Sequence, residues 1–232
     1  MASDLTEFDA VIFDFSGTLF RLEEDDSWMA DLTDHEGEPF DLHQQAELMR
    51  RMTAPVGQTV EMDAAEHHAW TNRDLDPRFH RQAYLDVLRK SGVAHEDQAV
   101  GLYERVIDPG CWSAYPDTAE VLASLKDRAV KVAVLSNIAF DIRPAFADLG
   151  VEHLVDAFVL SFEVGAIKPD PKIFEHALTA LGSEPERTLM IGDSEEADGA
   201  ARKVGCAFAL VEPVPLAERP DGLRNALNAF GL

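Results

Sequence analysis

Cysteine is nearly absent from this chain of 232 residues: only Cys111 and Cys206 occur, neither in a CxxC nor beside histidines at ligand spacing. A disulfide framework and a zinc site are therefore not expected, and a reducing, cytoplasmic setting is. Long apolar runs are also missing. Nothing approaches the ~18 consecutive apolar residues that a membrane span requires, and the clearest runs are as short as residues 132–135. The first seven residues, MASDLTE, are polar and acidic, so no secretory signal peptide is expected there. Positive charge is scarce, with 20 Lys and Arg against 43 Asp and Glu and a net charge of −23. Such a field repels nucleic acid and anionic membranes, so neither is an expected partner, and the charge reads chiefly as solubility. An anionic substrate would need the field inverted locally, by a metal ion, a lysine or helix N-termini. With 46% hydrophobic and 27% charged residues, the composition is that of a globular protein, long enough for one to two domains.

Two textures divide the chain. Residues 8–15 (FDAVIFDF) form a short apolar run rich in Val, Ile and Phe, which predicts a buried strand. From about residue 21 to 111 the sequence is acidic, with helical spacing of apolar residues over 42–52, 78–90 and 95–107 and no confident strand. Beyond residue 112 helices and strands alternate. Helices are predicted over 117–127, 140–149, 171–181, 195–204 and 221–230, and strands over 130–135, 157–160, 188–191 and 207–211. That alternation predicts an α/β fold, a doubly wound parallel sheet with an all-helical insert. The division expected is a core of residues 1–20 and 112–232 and an insert of residues 21–111.

Each predicted strand delivers polar residues to one rim, where ligands of such sheets bind. The first gives Asp14, Ser16, Gly17 and Thr18; the next gives Ser136 and Asn137; further on come Lys168, then Asp193 and Asp198. Asp14 and Asp193 at neighbouring strand ends make a hard-oxygen site suited to Mg²⁺. Asp14 is also a candidate nucleophile, since a carboxylate can form an acyl phosphate. Ser136 and Thr18 can donate to phosphoryl oxygens, Lys168 can balance charge, and Gly17 allows a tight turn that presents backbone N–H groups. Singly, each of these residues is as well explained as a turn, a helix cap or a solvated loop. Their order, each after an apolar strand, is what argues for function.

The ordered segments FDFSGTL (13–19), LSN (135–137), KPDP (168–171) and IGDSEEAD (191–198) resemble the motifs of the haloacid dehalogenase-like hydrolase superfamily. The resemblance covers the core, and the insert looks like that family's helical cap of the C1 type. It implies a Rossmann-like core, Mg²⁺ as cofactor and a phosphatase acting on a small phosphorylated metabolite, with monomer and homodimer both open. Carried over by motif, Asp14 matches the nucleophile, Ser136 the phosphate-binding hydroxyl, and Lys168 the charge-balancing lysine. Asp193 matches the metal ligand, Asp198 the second acidic position of the last motif, and Ser16 the residue whose backbone carbonyl reaches the metal. The resemblance also implies a cap that opens and closes on hinges near residues 20–22 and 109–112.

One position departs from the pattern. Family phosphatases carry a second Asp two residues after the nucleophile as general acid and base, and this chain carries Ser16. A serine hydroxyl protonates a leaving alkoxide poorly. Such assistance is worth ~10²–10⁴ in rate, or ~3–5 kcal/mol of barrier. The expectation is weakened acid catalysis, a preference for acyl or aryl phosphates, or an acid recruited from the insert, where Asp34 and His35 are candidates. Related dehalogenases carry Tyr at this position and need no metal, which the intact Asp193 motif disfavours. Phosphonate-cleaving relatives carry Ala there and use a cap lysine, and Lys90 reads instead as a solvated helix end. A non-catalytic binding protein that keeps the fold is the remaining alternative. His67 and His68 are adjacent, and neighbours on a helix point away from each other, so they do not easily share a metal and read as surface or boundary residues. Trp28, Met29, Trp70, Phe79 and Tyr84 read as core before they read as a pocket.

Overall fold

Strands buried on both faces must alternate their side chains between two layers of helices, and these do. The computed structural model describes residues 8–23, 28–29, 32–53 and 59–232. Its central sheet contains β1 (Ala10–Phe13), β4 (Lys131–Ser136), β5 (Ala157–Leu160), β6 (Thr188–Gly192) and β7 (Ala207–Leu210). All pairings are parallel, in the order β5-β4-β1-β6-β7. Val11, Phe13, Val132, Val134, Leu189 and Ile191 pack into one apolar cluster. Their neighbours Ala10, Ile12, Ala133, Leu135 and Met190 pack into the other. The sheet is thus covered on both faces, as a doubly wound α/β fold requires. β1 lies at its centre, flanked by β4 and β6, so the residues that follow it emerge at the crevice where connections diverge to either side.

The segment between β1 and β4 carries α1 (Leu42–Thr53), α2 (Ala64–Thr71), α3 (Pro77–Lys90) and α4 (Glu96–Ile107). Leu48, Met49 and Met52 meet Leu85, Leu88, Leu102 and Val106 in a cluster separate from the two on the sheet. Asp63 and Glu66 form a capping box at the start of α2, and Asp76 caps α3 with Pro77 at its first turn. α2 is the helix the sequence left unassigned, because its apolar face is little more than Ala69 and Trp70. Trp28 and Met29 are buried with the α1, α3 and α4 cluster, and Trp70 with Phe79 forms a smaller one. The segment is not purely helical at its edges. β2 (Phe20–Leu22) and β3 (Trp112–Ala114) pair antiparallel at the two places where hinges are expected.

After β3 the chain forms α5 (Thr118–Asp127), α6 (Arg143–Asp148), α7 (Ser161–Val164), α8 (Pro171–Leu181) and α9 (Gly222–Ala229). Two expected helices are shorter. α6 starts only at Arg143, with Pro144 in its first turn, where a missing N–H costs nothing. The expected helix over 195–204 is a 3₁₀ turn, Gly199–Val204, preceded by a loop. There the Asp198 carboxylate turns inward and accepts the Ser194 N–H at 2.9 Å, so the side chain competes with helical backbone pairing. Among the described residues no helix is long and apolar enough to cross a membrane, and both cysteines are free.

Candidate active site

At the carboxyl ends of the strands, Lys168 is the hub. Its Nζ donates to Asp14 Oδ1 and to Asp198 Oδ1, both at 2.6 Å, and lies 3.3 Å from the Leu135 carbonyl. Its side chain is 4% exposed, and those of Asp14 and Asp198 are 8% and 1%. The lysine is held by its backbone. The Asn137 side chain accepts the Lys168 N–H at 2.7 Å and donates to its carbonyl at 3.0 Å. Asn137 was expected to face substrate; its amide is committed to positioning Lys168, although the residue still lines the cavity above. Ser136 ends β4 and is buried.

Carboxylate oxygens of Asp14, Asp193 and Asp198 lie within 4.8 Å of one another. Burial is the main cause that lifts Asp14 to about 7; Lys168 pulls it down while Asp198 and Asp193 push it up. Burial, then Asp198, lifts Asp193 to about 6. For Lys168 burial acts downward, but the two carboxylates outweigh it and hold the ammonium above its usual range. Two buried carboxyl groups share one ammonium, with the half-buried Asp193 beside them, and a further cation would relieve that imbalance.

The turn after β1 is set by Gly17 at φ +74°, in the left-handed region, where a Cβ would lie 2.3 Å from Asp193 Oδ2. Only glycine lets the loop and Asp193 approach so closely. Arg219 clamps the same turn: it donates to the Gly17 carbonyl at 2.7 Å and to the Thr18 carbonyl, and its guanidinium lies over the Tyr115 ring. Thr18 is fully buried, and its Oγ1 has no hydrogen-bond partner among the described residues. Arg219 is invisible to sequence reasoning, because an arginine some 200 positions from its partner, in a Pro-rich stretch, carries no local signal.

Above the rim lies a cavity of about 230 Å³ whose lining includes Ser16 and Asn137 from the sheet side and Arg73, Asp74, His80 and Tyr84 from the helical segment. The expected acids are elsewhere. Asp34 closes its own turn by accepting the Glu36 and Glu38 N–H groups at 2.8 and 3.0 Å. His35 is exposed, and neither lines the cavity. Lys90 is paired with Glu66 and the Glu61 carbonyl, and His67 and His68 are exposed on α2. The sequence missed Asp74 because a lone acid in a connection between helices has no periodicity.

His80 gives a pH test of this wall. Its ring stacks on Tyr84 with centroids 4.4 Å apart, and its Nδ1 lies 3.2 Å from the Tyr103 hydroxyl. Burial, helped by Arg73, pushes it from 6.5 down to about 3. Between those values the unfolded chain binds a proton that the folded chain does not, so stability present above pH 6.5 is lost as pH falls. The difference reaches about 3 kcal/mol near pH ~4.5. His80→Gln should flatten that limb in urea titrations; an unchanged slope would mean that His80 is not held neutral.

The fold and the rim together define a doubly wound α/β protein with a carboxylate–lysine centre at its strand ends. Residues 8–205 match the haloacid dehalogenase-like hydrolase family, and the chain belongs to that family of hydrolases. It is 34% identical over 117 residues to a glyceraldehyde 3-phosphate phosphatase from Methanothermobacter thermautotrophicus, covering 49% of this chain and 52% of that protein. It is 24% identical over 224 residues to a phosphoglycolate phosphatase from Pasteurella multocida, covering 94% of each. Among solved structures, a predicted phosphoglycolate phosphatase from Haemophilus somnus superposes with a TM-score of 0.56 at 19% identity, covering 95% of this chain and 99% of that one; this likeness speaks to the fold. The chain spans about half the length of the first curated relatives it matches.

Proposed function

We propose that the protein is a Mg²⁺-dependent phosphatase for a small phosphorylated metabolite, working through an aspartyl-phosphate on Asp14. The observation that carries this reading is Lys168 bridging Asp14 and Asp198, with Asp193 alongside, at the ends of adjacent parallel strands. A carboxylate donor set of this kind fits Mg²⁺, with Asp14, Asp193, Asp198 and the Ser16 carbonyl as the residues that would hold it. When bound, the ion supplies positive charge to the phosphoryl oxygens and to the buried carboxylates. Asp14 attacks phosphorus, and the alcohol or acid leaves. Lys168 faces the developing charge, and the Ser136 and Thr18 hydroxyls hold the phosphoryl oxygens. The Gly17 and Thr18 N–H groups, expected to do so from the sequence, instead close the turn on the Phe20 and Phe15 carbonyls at 2.7 and 3.4 Å. Water then cleaves the acyl phosphate and regenerates Asp14.

The helical segment of residues 21–111 acts as a cap, and the ribbon of β2 and β3 is its tether. The cavity of about 230 Å³ between cap and rim suits a metabolite of a few carbons rather than a polymer. Phosphate release from a panel of small sugar, glycolytic and acyl phosphates, with Mg²⁺ and with a chelator, tests the reading. Turnover that depends on the ion is expected. No release from any ester or acyl phosphate would instead favour a binding protein that keeps the fold.

A further inference from the structure

Ser16 leaves the first step without an obvious proton donor, and the opposite wall of the cavity holds a carboxyl group. Asp74 sits in the connection between α2 and α3 and lines the same cavity as Ser16 and Asn137. Its backbone is fixed to the core. The fully buried Ser161 hydroxyl, at the start of α7, bonds the Asp74 carbonyl at 2.5 Å. Ser161 Oγ in turn accepts the N–H of Ile138 at 2.8 Å, immediately after Ser136 and Asn137. A residue of the helical segment is thereby latched to the floor of the phosphate site. Resting on the phosphatase reading above, we infer that Asp74 is the general acid and base of this enzyme, supplied across the cavity in place of a carboxylate at position 16.

In the first half-reaction Asp14 forms the bond to phosphorus, the bond from phosphorus to the leaving oxygen breaks, and that oxygen takes the Asp74 proton. In the second, water attacks the phosphorus of the acyl phosphate and gives its proton to Asp74, and the bond to Asp14 breaks. Both groups end as they began. Burial raises the Asp74 carboxyl above its ordinary range, while Arg73 and Lys168 act against that shift. The groups that face it are Arg73 on its own connection, with Nη2 3.7 Å from Asp74 Oδ2, His80 and Tyr84 on α3, and Lys168 in the core. Arg73 is itself held off by the Trp70 carbonyl at 2.8 Å and by the Trp70 ring, so it does not close a tight pair with Asp74.

The test compares leaving groups. Asp74→Asn keeps the side-chain shape but cannot give or take the proton. On an alkyl phosphate its kcat should fall by ~10²–10⁴. On p-nitrophenyl phosphate or acetyl phosphate, whose leaving groups need no proton, formation of the acyl phosphate in a single turnover should change less than about tenfold. The alkaline limb of the alkyl-phosphate kcat profile should vanish, and Ser16→Asp added to Asp74→Asn should restore alkyl turnover. Equal losses on both leaving groups, a change confined to KM, or an unaltered pH profile would overturn the assignment while leaving the phosphatase reading intact. A wild-type protein inactive on every phosphate would overturn both. Equal melting temperatures of Asp74→Asn and wild type establish that the variant is folded.

Discussion

Asp14→Asn should lower phosphate release by at least about 10³-fold, since a carboxamide cannot form the acyl phosphate and the remaining groups act only around a missing nucleophile. The same change should raise the melting temperature of the metal-free protein. Asp14 is buried, and its carboxyl is lifted from 3.8 to about 7, chiefly by burial and then by Asp198 and Asp193 acting against Lys168. A carboxyl raised in the folded state holds a proton there that the unfolded chain has released. Stability therefore falls as pH climbs through the interval from 3.8 to about 7 and stays lower above it. Asn pays no such penalty. Melts in chelator should show a larger gain near pH ~8 than near pH ~5. Asp14→Ala should share the kinetic loss, which separates a missing nucleophile from slow conversion of Asn to Asp. Turnover that survives both variants would remove the acyl-phosphate route. Activity here is set against stability, because the site keeps a charge where the fold would prefer none.

How far the sequence reaches can be judged residue by residue. The strands are legible because each is a short apolar run closed by a polar residue or a glycine; Ala157–Leu160 and Pro171–Leu181 lie where their patterns put them. Asp14, Lys168, Asp193 and Asp198 are legible as a group because a parallel sheet sends every strand end to one rim. What the sequence hides is whatever depends on a side chain meeting a distant segment. Arg219 closing on Gly17 and Thr18, Ser161 on the Asp74 carbonyl, and Asn137 on the Lys168 backbone span 202, 87 and 31 positions. None of these leaves a periodic trace. Asp34 and His35 drew attention because they sit in an acidic, polar stretch, yet that stretch is a turn that satisfies itself. The loop over 195–198 misleads in the opposite way: its composition is helical, but Asp198 is drawn inward by the lysine.

Lys168→Met should cost the metal-free protein about 3–5 kcal/mol near neutral pH, because removing one partner of a buried ion pair strands the other. Two carboxylates depend on this ammonium at 2.6 Å, and both are almost wholly out of water. Met replaces the lysine stem with a flexible apolar chain of similar length, so packing changes little and the loss is electrostatic. The Asn137 bonds to the backbone of residue 168 do not involve the lost side chain and should keep the loop in place. For a chain of this size the loss corresponds to roughly 6–20 °C in melting temperature. The deficit should shrink in acid, where protonation neutralises the stranded carboxyls without a lysine. Lys168→Met combined with Asp14→Asn should be more stable than Lys168→Met alone, since the double variant strands one fewer charge, and the difference measures the coupling between the two residues. Denaturant titrations of the four proteins at two pH values decide the matter. If the double variant is no more stable than Lys168→Met alone, or the deficit is the same in acid as at neutral pH, then Lys168 is not the counter-charge of Asp14. In that case the electrostatic logic assigned to the rim fails with it.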